Sequence, residues 1–138
     1  YLLIEALQKF GHFFGDDFKM EFPTGSGREL NLWQISLELE QRLIGIFRRD
    51  ADGRRAFNGP VEQFQQNPLW RDLFLFNEYF HGCSGAGVGA SHQTGWSAIV
   101  AKMITQLNRW QTNPLQALRL STHLLTSPEA LPTVQAVL

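Results

Sequence analysis

One carboxylate stands apart from the rest of the chain. Glu78 is flanked by Phe76, Tyr79 and Phe80 and enters a run containing Gly82, Gly85, Gly87, Gly89 and Gly95. No further Asp or Glu occurs until Glu129. A positioned carboxylate can take or give a proton. Aromatic rings offer flat apolar faces, on which the C–H face of a sugar can stack, so a lone acid among rings suits a sugar site. The plainer alternative is a solvated acid on a loop, and composition alone favours it. Gly85-x-Gly87-x-x-Ala90 fits the letters of a dinucleotide fingerprint. That chemistry also needs an acid about 20 positions later for the ribose, and none is there. No Lys-Ser or Lys-Thr follows the glycines, which speaks against a phosphate-binding loop. His81, Cys83 and His92 lie close in sequence, but their spacing matches no standard zinc pattern, and no metal site is expected. Cys83 with a histidine base has the residue types of a nucleophilic pair, although a small residue in a tight loop explains it as well. Asp50-Ala51-Asp52-Gly53 has the start of a calcium loop without its later ligands or closing Glu, which leaves a plain turn.

These residues need a scaffold, and the pattern is mostly helical. Leu2, Leu3, Ala6, Leu7 and Phe10 recur at helical spacing, with Gly11 or Gly15 as a stop. Phe18–Phe22 alternates like a short strand, and 23–27 is a turn cluster. Asn31 is a candidate cap for a second helix running to about Arg48. Its stripe is Leu32, Ile35, Leu39, Leu43 and Ile46, widened by Trp33, Leu37, Ile44 and Phe47. That face is broader than a surface helix needs. Glu38 and Arg42 can pair across one turn. Residues 50–60 read as a loop and 70–80 as an extended segment delivering Glu78. Ser91 or Thr94 would cap a third helix, Trp96 to Trp110, with Ile99, Val100, Met103 and Leu107 on its stripe. Helical signals return at 114–125 and after Ser127-Pro128.

Composition narrows the function classes. The 138 residues are 43% hydrophobic and 18% charged, with a net charge of −1, which excludes a disordered tail and a polybasic nucleic-acid arm. No apolar run reaches the roughly 18–20 residues of a membrane span. A single cysteine excludes a disulfide framework. The expected partner is a small carbohydrate substrate, with no nucleic acid, no membrane and no cofactor; nothing bears on oligomeric state. The chain shows no charged leader followed by an apolar core, so a signal peptide is either absent or cut off the front; a cytoplasmic location is expected.

Asn77-Glu78-Tyr79-Phe80-His81-Gly82, followed by Gly85-x-Gly87-x-Gly89-Ala90-Ser91-His92-Gln93-Thr94-Gly95-Trp96, closely resembles the C-terminal signature of glycoside hydrolase family 63. Its bacterial branch, the mannosylglycerate and glucosylglycerate hydrolase-like proteins, is the most similar part. Tyr1–Leu7, Phe22–Arg28, Asn31-Leu32-Trp33, Asp52–Arg55 and Trp70–Leu73 match as well. The resemblance runs from about Tyr1 to Leu107 and fades in 111–138, a divergent tail.

The resemblance implies a mainly all-α fold: the C-terminal fragment of an (α/α)6 toroid, with a short β excursion and long loops. The chain would then be one partial domain, truncated at its front. The activity implied is hydrolysis of α-glucosides or α-mannosides with inversion, in which one carboxylic acid protonates the leaving oxygen and one carboxylate activates water. Glu78 matches the general base. The acid of the family matches nothing in this chain, so the fragment alone is expected to be inactive. Gln93 matches a position contacting the non-sugar part of the substrate, and His92, Trp96 and Trp33 are candidate site-lining residues. Trp33 and Trp96 read equally well as core of the toroid. Cys83 stands where the family commonly has Asp. That departure keeps open a non-catalytic sugar-binding or structural module on the same fold.

Overall fold

The computed structural model describes residues 1–91 and 95–112. The helical signals at 114–125 and after Ser127 lie outside them. The chain divides into two compact units, Tyr1–Ile104 and Thr105–Leu138. The described residues are mainly helical, as the sequence pattern predicts, with two small two-stranded sheets where the sequence suggested one short strand and an extended segment. No described helix is long and apolar enough to cross a membrane.

Helix α1 (Leu2–Phe14) runs through Gly11 and stops at Gly15, whose φ of 76° is the left-handed conformation that glycine adopts without a Cβ penalty. Gly11 has another use. A Cβ there would lie 3.2 Å from the Trp33 backbone nitrogen, so its bare backbone lets the first turn of the next helix pack closely. Strands β1 (Lys19–Glu21) and β2 (Glu29–Asn31) form an antiparallel hairpin with Met20 opposite Leu30. Its turn is held by Gly27 N–H donating to Glu21 Oε1 at 2.7 Å. Backbone donors there hold the Glu21 carboxyl below its ordinary range.

The hairpin delivers Asn31 to the start of α2 (Leu32–Gly45). Asn31 Oδ1 accepts from Gln34 N–H at 2.8 Å, and Gln34 Oε1 accepts from Asn31 N–H at 2.9 Å, a reciprocal capping box. The helix buries Leu32, Ser36, Glu40 and Ile44, one i,i+4 row, together with Ile35 and Leu37. Leu39 and Leu43, expected on the buried stripe, are only half-buried. Leu30, Leu32 and Ile35 form a core against Leu7, Phe22 and Leu39. On the outer face Arg42 meets Glu38 at 2.6 Å, as expected, and Arg28 reaches the same carboxylate at 3.2 Å.

The segment 50–60, expected as a loop, contains a 3-10 turn at Ala56–Asn58, and the five-residue helix α3 (Glu62–Gln66) comes after it. Gln65 stitches this region together. Its amide donates to Arg55 O at 2.9 Å and Gly59 O at 2.8 Å, and its oxygen accepts from Arg55 N–H at 3.0 Å. Helix α4 (Val100–Thr112) follows a 3-10 turn at Trp96–Ile99. The turn is capped by Gly95 without a side-chain hydrogen bond. Ser91 is therefore not the cap expected for this helix, and Thr94 lies outside the described residues.

Candidate functional site

Glu78 is held by a second hairpin, β3 (Tyr79–Phe80) against β4 (Gly87–Val88), with Tyr79 opposite Val88 and Phe80 opposite Gly87. The pairing continues one step outward, where Glu78 N–H donates to Ala90 O at 3.1 Å. The Glu78 side chain closes the same unit, with Oε2 accepting from Ala90 N–H at 3.2 Å. The closeness depends on two glycines. A Cβ at Gly87 would lie 2.2 Å from Asn77 Oδ1, and one at Gly89 would lie 2.2 Å from Glu78 Oε2 and 3.1 Å from Glu78 Cβ. Gly89 also has φ +77°, which disfavours any side chain. Behind the carboxylate, Asn77 is buried and its carbonyl accepts a hydrogen bond from Ser97 Oγ. The backbone at 77–78 is thus fixed between the hairpin and the turn that opens α4.

The hairpin loop is ordered by His81. His81 N–H donates to Ala86 O at 2.8 Å, and Gly85 N–H to His81 O at 2.8 Å. The ring Nδ1 accepts from Cys83 N–H at 3.3 Å and lies 3.2 Å from Ser84 Oγ. Cys83 is an exposed free thiol in this tight loop. Among the described residues no group of His, Cys, Asp and Glu could hold a metal ion.

Glu78 lines a cleft of about 420 Å³ with Phe80, Trp96, Tyr1, Phe47 and Met103 among its walls. It is the one carboxylate lining this cleft among the described residues. Residues 78 and 80 share a strand face, because side chains alternate along a strand. The intervening Tyr79 is exposed and does not line the cleft. Phe76 is used for packing. Its ring lies 6.1 Å from Phe47, which also meets Phe57 at 5.3 Å and Phe80 at 5.5 Å. Phe47 and Phe57 are the buried members of this aromatic cluster. Trp96 is 68% exposed at the cleft wall.

Trp33 is not brought to this cleft: it sits in the first turn of α2 against Gly11, and the 23–28 turn does not line the cleft either. His92 and Gln93 lie outside the described residues. The polar rim includes Tyr1, whose hydroxyl hydrogen-bonds to both Glu5 and Lys102. Lys102 pairs with Glu5 at 3.0 Å. Those hydrogen bonds hold the Glu5 carboxyl below, and the Lys102 ammonium above, their ordinary values.

Sequence reasoning missed Glu40. Its side chain is fully buried and neither oxygen finds a hydrogen-bond partner among the described residues. Burial pushes its carboxyl up to about 7, against the opposing pull of the Lys102 charge. The signal was available, since Glu40 falls on the row Leu32–Ser36–Glu40–Ile44. Glu40 does not line the Glu78 cleft.

No family model matches the chain, and no solved structure matches it. The chain is 47% identical over 109 residues to the uncharacterized protein YMR196W of Saccharomyces cerevisiae (strain ATCC 204508 / S288c), an alignment covering 78% of this chain and 10% of that protein. The chain therefore spans about a tenth of the length of the curated relative it matches.

Proposed function

We propose that this chain is the base-carrying part of an inverting α-glycosidase acting on α-glucosides or α-mannosides, including glucosylglycerate or mannosylglycerate. The observation that carries this reading is the Glu78 carboxylate. It is fixed by the Ala90 N–H and the bare Gly89, and faces a cleft walled by Phe80 and Trp96. A general base must be held still and remain open to water, and Glu78 is exposed while its backbone is anchored on both sides. In this reading Glu78 takes a proton from a water that attacks the anomeric carbon. The matching acid sits about 6.5–9.5 Å away on the opposite face of the sugar, leaving room for that water. It belongs to a part of the protein beyond this chain, as do the remaining helices of an (α/α)6 toroid. The protein acts in the cytoplasm on a small soluble carbohydrate.

The test is Glu78→Gln in the full-length protein. Turnover of α-glucosides and α-mannosides should fall by several orders of magnitude while sugar binding persists. Unchanged turnover of every such substrate would refute the assignment. A second reading, a sugar-binding module without catalysis, is favoured by Cys83 in the loop where the resembling family carries Asp. It requires saturable sugar binding by a wild-type protein that turns over none of these substrates.

A further inference from the structure

A second concavity, of about 640 Å³, has a different chemistry. Arg48, Arg49, Arg54 and Arg55 all line it, with Gln65 and Ser84 among its other walls. Four arginines line this one cleft in a chain whose net charge is −1. Asp50 is the one carboxylate lining the cleft among the described residues. Its Oδ1 is engaged by the backbone N–H groups of Asp52 at 3.0 Å and Arg54 at 2.8 Å.

The four arginines are not equivalent. Arg49 pairs with Asp72 at 2.5 Å, and Arg54 with Glu62 at 2.9 Å. Arg55 is held by neutral groups only. Its Nε donates to Phe47 O at 3.1 Å and its Nη1 to Arg71 O at 2.6 Å, and its guanidinium lies 4.7 Å from the centre of the Phe74 ring. Arg48 makes no ion pair and no side-chain hydrogen bond among the described residues. Arg48 and Arg55 thus line one cleft with no carboxylate hydrogen-bonded to either among the described residues, and the Asp72 charge acts on Arg55 without such a bond. Burial, and then the neighbouring Arg49 charge, lower the Arg55 pKa against the opposing pull of Asp72, so an anion in the cleft would relieve the cost that remains.

We propose that this cleft binds a phosphate group, as inorganic phosphate or as part of a sugar phosphate, through Arg48 and Arg55. Phosphate suits the site better than a carboxylate. A guanidinium presents a planar fork of donors, and a phosphate has enough oxygens and charge to engage two forks at once. The volume lies within the range of small-molecule sites and leaves room for more than the anion. This proposal does not rest on the glycosidase reading.

The experiment is calorimetric titration of the full-length protein with inorganic phosphate at constant ionic strength, with chloride as reference and glucose 6-phosphate as a second arm. Saturable phosphate binding is expected, weakened at least 10-fold in Arg48→Ala and unchanged in Lys9→Ala, an exposed cation on α1. Arg48 is unpaired, so Arg48→Ala should fold normally, and Arg48→Lys should retain part of the affinity. Tighter binding of glucose 6-phosphate would support a sugar phosphate as ligand, and equal binding would support phosphate alone. The proposal is overturned if phosphate binds no better than chloride, or if Arg48→Ala binds phosphate as wild type does.

Discussion

A β-carbon on Gly89 would lie 2.2 Å from Oε2 of Glu78, so the backbone at 89 sets where the carboxylate of residue 78 can rest. Gly89→Ala should cost about 1–2 kcal/mol, because the left-handed φ and the close contact both oppose a side chain. On the proposed glycosidase reading it should also push the carboxylate out of place, so that kcat falls more than KM changes. Gly45→Ala is the control. Gly45 ends α2 with nothing within 4 Å of the added carbon, and stability there should hold or rise slightly. Denaturant titration and steady-state kinetics on the two variants check both halves.

Trp96 is 68% exposed yet lines the Glu78 cleft. Trp96→Ala should therefore leave folding stability within about 0.5 kcal/mol, as exposed substitutions generally do. If sugar stacks on that ring, the same variant weakens sugar binding by about tenfold. A fall in Tm without any change in sugar affinity would mean the ring serves the fold.

Asn31 has more to lose. Its side chain caps α2 and its amide nitrogen also donates to Asp16 Oδ1 at 3.1 Å. Asn31→Ala should destabilise the protein by about 1–2 kcal/mol, the upper part of the usual range for a lost cap. Asn31→Asp should recover part of that, since Asp also caps, while placing a charge beside Asp16. Urea unfolding curves give both differences.

Glu40 makes stability depend on pH. Its carboxyl is raised from 4.5 to about 7 in the folded protein. Below pH 4.5 it is protonated in folded and unfolded chains alike, and its burial carries no ionisation penalty. Between pH 4.5 and 7 the unfolded chain releases the proton and the folded chain keeps it, so stability falls as pH rises. Above 7 the penalty is constant, on the order of 3 kcal/mol. Glu40→Gln should therefore be more stable than wild type at pH 8, with the advantage shrinking to nothing near pH 4. Thermal unfolding across that range tests the slope.

Much of the local architecture was legible because it rests on short-range chemistry. Asn31 as a cap, the strand-like alternation before Pro23 and the Glu38–Arg42 pair all depend on residues a few positions apart. What the sequence hid depended on distant neighbours. Gly11 looks like a stop signal, but it is the place where another helix comes close. The stripe on α2 was misjudged by about one residue's rotation, because Leu39 and Leu43 are apolar enough to suggest burial while Ser36 and Glu40 occupy the inner row. Helix α3 has five residues, too few for a periodic pattern. Types and order singled out Glu78 and Trp96, which the structure brings to one cleft, whereas Trp33 is kept away by the packing of α2 on α1. The arginine cleft was hidden for the same reason: 50–60 reads as a loop, and nothing in it points to Gln65 and Ser84 as walls of the same cleft.

Gln65 joins residues 55, 59 and 65 through an amide that has no proton to gain or lose near neutrality. The backbone that presents Arg55 is therefore tied by neutral contacts, and it keeps its shape over the pH range in which a phosphate passes from one negative charge to two. Any response of the cleft to acidity would then come from the guest. A Gln65→Glu exchange would end that independence by setting a carboxylate against two carbonyl oxygens, giving the loop an acidity threshold of its own.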